Sequence, residues 1–280
     1  MLYRQFNKII SYLRHNISYQ VLRVFIAMFF LVTGNELYSF YFKTYSDAQL
    51  ISVSELSLLC DTPANILYQP ASFNEGISAS YSNPYGFSEI NLIQLSLQKI
   101  FKDYALGFGS YFYNNPNISD IQIYSSFAYK YQNLQAGFSL NYYQMKVKNY
   151  SSDRLLMLDL GLIWKHQNFK YAISYSNVTQ SSMKGIEANS LIKFETTFKV
   201  NAYSDIGISF EKEKYFDYRY AIASSFKFYK NNKINMGFMP NPSQFTTGIE
   251  INLDNKSLIY SIRTHQELDL THSITLKYLF

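Results

Sequence analysis

From Gly76 onward, apolar and polar residues alternate with a period of two, which is the signature of strands that bury one face and wet the other. Representative apolar faces are Ile121/Ile123/Phe127/Tyr129/Tyr131, Leu134/Ala136/Phe138/Leu140/Tyr142 and Leu156/Leu158/Leu160/Leu162/Trp164. Two more are Ile192/Phe194/Phe198/Val200 and Phe245/Ile249/Ile251/Leu253. The pattern predicts strands over 76–81, 88–100, 104–113, 119–131, 134–146, 154–166, 169–179, 190–201, 205–213, 217–229, 233–239, 243–253, 256–264 and 270–280. That is about 14 segments, most near the roughly 9–11 residues that a tilted strand needs to cross a bilayer. Tight connections (Lys102-Asp103, Gln132-Asn133, Gln167-Asn168, Tyr203-Ser204, Asn231-Asn232, Asp254-Asn255) read as hairpin turns. Looser ones fall between them at 114–118, 147–153, 180–189, 214–216 and 266–269. Strict alternation of short and long connections is what a barrel with both termini in the periplasm predicts.

The faces opposite the apolar ones carry Lys130, Asn141, Asp159, Lys193, Glu195, Lys199, Glu250 and Asn252. A soluble barrel keeps its interior dry, whereas polar inside and apolar outside is the membrane arrangement. The closing stretch fits it: Ile274, Leu276, Tyr278 and Phe280 share one face, Ser273, Thr275 and Lys277 the other. The stretch resembles the C-terminal signal of outer-membrane barrels, which implies that these four apolar residues are read by the outer-membrane barrel-assembly machinery. Composition agrees, with 27 Tyr, 23 Phe and only 16% charged residues. No apolar run approaches the about 20 residues of a membrane helix. The net charge of +5 is modest and its lysines are dispersed, which argues against a nucleic-acid partner. The fold expected is all-β: a transmembrane antiparallel barrel at 75–280 whose partner is outer-membrane lipid.

Arg4, Lys8, Arg14 and Arg23 precede an apolar core over 24–33. This reads as a secretory signal at 1–39, too short to span a bilayer. Residues 40–74 do not alternate cleanly, and Pro63 and Pro70 forbid a central strand there. The segment is expected to fold into the barrel as a plug, with a periplasmic lead-in as the alternative. Cys60, the single cysteine, excludes an internal disulfide and reads as a small buried residue.

Three short motifs resemble the PorV/PorQ-like family of outer-membrane barrels, itself related to the FadL type. One runs from Cys60 through Ser72 and includes Asp61, Pro63, Ala64, Pro70 and Ala71, with Gln69 where the family usually has Asn. The second is Leu158-Asp-Leu-Gly-Leu-Ile-Trp164 followed by Tyr175-Ser-Asn-Val178, and the third is Thr271-His-Ser-Ile-Thr-Leu276. The resemblance implies a 14-stranded, non-enzymatic barrel without cofactors. It also implies a role beside type IX secretion, with secretion-system components or exported proteins as partners. The FadL relationship implies instead a passive channel for small or hydrophobic solutes.

Asp159, Lys193, Glu195, Lys199, Arg219, Lys227, Glu250 and Arg263 are expected to line the lumen, where charges must pair or face water. Two arrangements satisfy that: a cross-strand ion-pair lattice in a closed lumen, or the wall of a polar pathway gated by the 45–74 segment. His265, Glu267, Asp269 and His272 flank the last external hairpin and are weighed as a metal or hydrolytic cluster. Ordinary rim polarity accounts for them better. The run Glu211-Lys-Glu-Lys214 reads as a solvated loop entrance.

Overall fold

The computed structural model describes residues 46–280 apart from 150–151, 184–185 and 215. The signal segment expected at 1–39, and residues 40–45 of the expected plug, lie outside the described residues. The barrel strands begin with β1 (Gly76–Asn83), β2 (Asn91–Phe101), β3 (Tyr104–Asn114), β4 (Ile118–Tyr131), β5 (Leu134–Val147), β6 (Ser152–His166) and β7 (Phe169–Ser176). A two-residue hairpin, β8 (Ser182–Met183) and β9 (Ile186–Glu187), interrupts the next connection. Then follow β10 (Leu191–Lys199), β11 (Ser204–Glu213), β12 (Arg219–Lys227), β13 (Lys233–Pro240), β14 (Ser243–Leu253), β15 (Lys256–Arg263) and β16 (Thr271–Tyr278). The 14 long strands pair antiparallel with their chain neighbours and close through β1 and β16, with Ile77 opposite Tyr278 and Asn83 opposite His272. Closure leaves no sheet edge, the condition for a sheet to cross lipid.

The alternation sets the faces. Leu140, Leu156, Phe194, Ile249 and Leu276 point outward, while Ser139, Asp159, Lys193, Glu250 and Thr275 point inward and are buried. One end of the barrel, here the turn end, carries the connections at 102–103, 132–133, 167–168, 200–203, 228–232 and 254–255. Just outside it runs a row of outward aromatics: Phe101 stacks on Tyr104 at 5.3 Å, Phe127 lies 5.8 Å from Phe138, Trp164 5.5 Å from Tyr171 and Phe169 4.8 Å from Phe198. Such a girdle sits where lipid headgroups meet hydrocarbon.

The other end, the loop end, carries the longest connections, 84–90, 177–190 and 264–270, together with short ones such as 115–117. Between β13 and β14 only Asn241-Pro242 intervenes, so short and long connections do not alternate strictly. β7 stops at Ser176, not at 179 as the pattern predicts. Asn177 takes a left-handed φ of 52° there, its N–H bonded to Asp159 at 2.7 Å and its amide Nδ2 to the Ala188 carbonyl at 2.8 Å. Side-chain capture of the backbone competes with the ladder and turns the chain inward. β2 likewise starts at Asn91 and not 88, because Pro84–Gly86 forms a one-turn 3₁₀ helix and Asn83 Nδ2 ties back to the Ile90 carbonyl at 3.0 Å.

Candidate functional site

Residues 46–74 occupy the lumen. With proline at 63 and 70 the segment cannot ladder, so it folds as short helical turns that satisfy their own backbone. Asp47 caps α1 (Ala48–Ser52), accepting from the N–H groups of Gln49 at 2.9 Å and Leu50 at 3.2 Å. Its other carboxylate oxygen takes the hydroxyls of Thr62 at 3.0 Å and Ser80 at 3.1 Å. A reversal follows at Ser54 and Glu55, both with positive φ, and then 3₁₀ turns at Ser57–Leu59 and Pro63–Leu67. Leu50, Ile51, Val53, Leu56, Ile66, Leu67 and Tyr68 build a small core with Tyr124, Ala221, Ala223 and Met239 of the wall. Among the described lumen residues from Ser46 to Ser72, Asp61 alone is exposed and Leu59 half-buried. The plug therefore meets the wall all round.

The wall is thinned to receive it. A β-carbon at Gly137 would lie 2.6 Å from the Pro70 carbonyl carbon and 2.9 Å from Ala71 Cα. At Gly161 it would lie 3.0 Å from the Ala71 nitrogen, at Gly207 2.6 Å from Leu56, and at Gly248 2.6 Å from Ser52. Glycine in a strand commonly marks such a close approach. These inward glycines, with Gly107 against Ile66 and Gly237 against Ser54, form a seat that the charge-led reading of the sequence missed. Their shared inward parity was the available signal.

The lumen charges hold the plug. Glu195 accepts from Ser57 N (3.0 Å), Ser57 Oγ (2.5 Å) and Leu58 N (3.0 Å), and pairs with Lys193 at 3.0 Å. Glu55, at the plug's reversal, pairs with Arg263 at 2.7 Å. Nearer the turn end, Glu250 and Asp61 alternate with Lys277 and Lys233 in a four-membered ring, with contacts of 3.0, 2.5, 2.7 and 3.2 Å. Gln49 bridges its two carboxylates, donating to each at 2.8 Å. Of the other expected lining residues, Arg219 binds Glu211 at 2.5 Å and Glu213 at 2.6 Å, and Asp159 anchors Asn177. Glu211 and Glu213 are thus buried inward-facing partners of Arg219, which corrects the reading of 211–214 as a solvated loop entrance. Lys199 and Lys227 stand apart, at the turn-end rim. Of the motif residues, Pro63 and Ala64 open the second 3₁₀ turn, and Pro70 and Ala71 rest on Gly137 and Gly161. Ile274, Leu276 and Tyr278 face outward on β16, and Phe280 meets Tyr278 edge-on at 6.0 Å.

On the loop side the lumen differs. Tyr143, Leu155, Met157 and Ala188 pack together with Met145, an apolar cluster that joins β5 and β6 to Ala188 of the following connection. Beside it the wall is incomplete as a ladder. β7 pairs β6 only over Leu160–His166. Beyond that, the 177–190 segment covers β6 through Val178 N to the Leu158 carbonyl at 2.8 Å and Ser181 Oγ to the Leu156 carbonyl at 2.5 Å. Across the mouth, a cavity of about 340 Å³ is lined by Glu213, Phe216, Asp217, Arg219, Asn241 and Pro242. His265 turns its ring onto Tyr85 at 4.5 Å and Thr271 at 2.8 Å, while His272 lies on the outer face against Tyr260 at 2.8 Å. The two imidazoles point apart.

Neither a protein-family model nor a curated protein sequence matches this chain. Solved structures do. The CymD monoaromatic hydrocarbon channel matches with a TM-score of 0.60 at 12% identity, over 84% of this chain and 99% of that one. The Pseudomonas putida toluene transporter TodX matches at 0.62 and 10% identity, over 86% and 99%. A deltaS2 mutant of the TodX monoaromatic hydrocarbon channel gives 0.65 and 10%, over 84% and 99%. At such identities the likeness is one of fold: this chain has the closed 14-strand architecture of outer-membrane channels. Membership of the PorV/PorQ-like family, which the short motifs suggested, is not shown.

Proposed function

We propose that this chain is an integral outer-membrane channel that passes small apolar solutes passively, without enzymatic activity, and that its turn end faces the periplasm. The observation that carries the reading is the contrast inside the lumen. A polar pore needs a continuous wet path, and here a buried, fully seated plug crosses it. The loop side instead carries the packed apolar cluster of Tyr143, Met145, Leu155 and Met157, side chains suited to contact with an apolar guest. That cluster adjoins the stretch of β6 covered by a loop and not by a strand, and the exit proposed for a guest runs beside it toward the membrane interior. The structural likeness to hydrocarbon channels supports the same class of solute.

In this account the outward residues Ile274, Leu276, Tyr278 and Phe280 serve barrel assembly. A secretion-associated role rests on the short motifs alone, and tight loop-end connections such as Asn241-Pro242 give little surface for large cargo. The test is solute entry into proteoliposomes. Toluene is expected to enter faster than into protein-free vesicles, and glucose at the protein-free rate. Faster glucose entry with unchanged toluene entry would overturn the proposal.

A further inference from the structure

Lys130, Lys165, Lys199 and Lys227 are the last inward-facing lysines of β4, β6, β10 and β12 at the turn end, and Lys170 opens β7 beside them. Each of the first four is fixed by its backbone N–H to the neighbouring turn: Lys130 to Asp103 (2.7 Å), Lys165 to Asn133 (2.9 Å), Lys199 to Asn168 (2.8 Å) and Lys227 to Tyr203 (2.7 Å). The ammonium groups thus rise from equivalent, rigid positions around one arc of the mouth. Two pairs put like charges directly across the ladder, Lys165 opposite Lys170 and Lys227 opposite Lys233. Such pairs destabilise a sheet. Lys233 is neutralised by Asp61 and Glu250. Lys130, Lys165, Lys170, Lys199 and Lys227 make no ion pair with a described residue, and the β4–β5 and β6–β7 turn stretches, 128–136 and 162–172, contain no carboxylate. Asp103, whose carbonyl holds the Lys130 N–H, and Asp205, opposite Lys199, are the acids that border the arc.

We infer that this arc is a docking surface for an extended acidic segment of another protein at the turn end. Strands lie about 4.8 Å apart, so the six intervals from β4 to β12 spread the arc over roughly 29 Å of perimeter. One small anion can bridge Lys165 and Lys170, which lie directly opposite each other, but not the whole arc, whereas a run of acidic residues at about 3.3 Å per residue can. The outward side of the same rim is aromatic and meets lipid, so the lysines address the aqueous mouth. The inference stands apart from the proposed solute: the arc lies at the turn end of the lumen, and the apolar cluster on the loop side.

The probe is a synthetic deca-glutamate peptide titrated onto the full-length barrel in nanodiscs. Binding is expected at low ionic strength and is expected to weaken as salt rises through the range where the Debye length falls to about 8 Å. Lys130→Gln/Lys165→Gln/Lys170→Gln is expected to weaken it about tenfold or more, the product of three modest rim charges. Lys102→Gln/Lys256→Gln, which removes two turn-end lysines outside the arc, is expected to leave it unchanged. Heat-modifiable migration on gels verifies that each variant is folded. No binding to the wild type at low salt would overturn the inference. So would equal loss in both variants, or full competition by millimolar benzoate, which would make the arc a small-anion site.

Discussion

Glu195→Gln tests whether the lumen charges hold the plug or merely fill space. The carboxylate accepts three hydrogen bonds from Ser57 and Leu58 and pairs with buried Lys193. A glutamine keeps the shape but offers one acceptor oxygen, and its amide N–H₂ meets a donor already in place. Lys193 retains the Glu55 carbonyl but loses its nearest counter-charge. Removing one partner of a buried pair costs about 3–5 kcal/mol. If the wall remains closed, that cost falls on plug docking alone, and 3 kcal/mol raises the open fraction about 100-fold. The chain supplies its own reporter. Cys60 is the single cysteine, lies in the plug, and is buried with its thiol on the Leu56 carbonyl. Burial, with Asp47 and Asp61 nearby, also pushes the Cys60 thiol up, so maleimide reacts only when the plug opens. The expected result is a labelling rate about 100-fold faster in Glu195→Gln than in the wild type, with gel migration of the folded barrel unchanged. Equal rates within about twofold would refute the reasoning, since no docking energy of that size could then reside at Glu195.

Further outcomes follow from the same geometry. Gly137→Ala drives a β-carbon against the rigid backbone of Pro70 and Ala71 and is expected to cost about 1–3 kcal/mol, read as faster Cys60 labelling. Within the four-membered ring, Glu250→Gln removes a fully buried carboxylate and is expected to destabilise the plug by about 3 kcal/mol. Asp61→Asn removes a half-exposed one and is expected to cost no more than about 1 kcal/mol; equal effects on Cys60 labelling would count against the burial argument. Ile249→Arg, on the lipid face of β14, is expected to destabilise the barrel in lipid by about 2–4 kcal/mol if it sits near the midplane, measured by urea titration in vesicles. Met157→Glu places a charge in the packed apolar cluster and is expected to slow toluene entry several-fold without speeding glucose entry.

The barrel was legible in the sequence because a period of two survives in nearly every strand, from Ile121–Tyr131 to Ile274–Phe280. Where side chains capture the backbone, the pattern misled. Asn177 ends a ladder that apolar alternation would extend, Asn83 delays the start of β2 to Asn91, and neither capture is visible without its partner, Ala188 or Ile90. The plug was readable as a break in alternation with two prolines, but not its contacts, which join residues far apart in the chain, such as Ala48 and Thr275. The lumen charges were identifiable by parity. Which of them pair was not, because Glu195 answers to backbone N–H groups of the plug as well as to Lys193, and Asp159 holds the Asn177 N–H. The glycine seat follows from the plug's shape and becomes meaningful only once the plug is in place.

Everything rests on a wall whose apolar face meets lipid, and the chain carries one probe of it. Trp164, the single tryptophan, faces outward near the turn end and stacks on Tyr171 and His166. In vesicles of brominated lipids its fluorescence is predicted to be quenched, more strongly by bromine placed near the headgroups than by bromine at the bilayer centre. Emission untouched by either lipid and fully quenched by aqueous acrylamide would contradict the account.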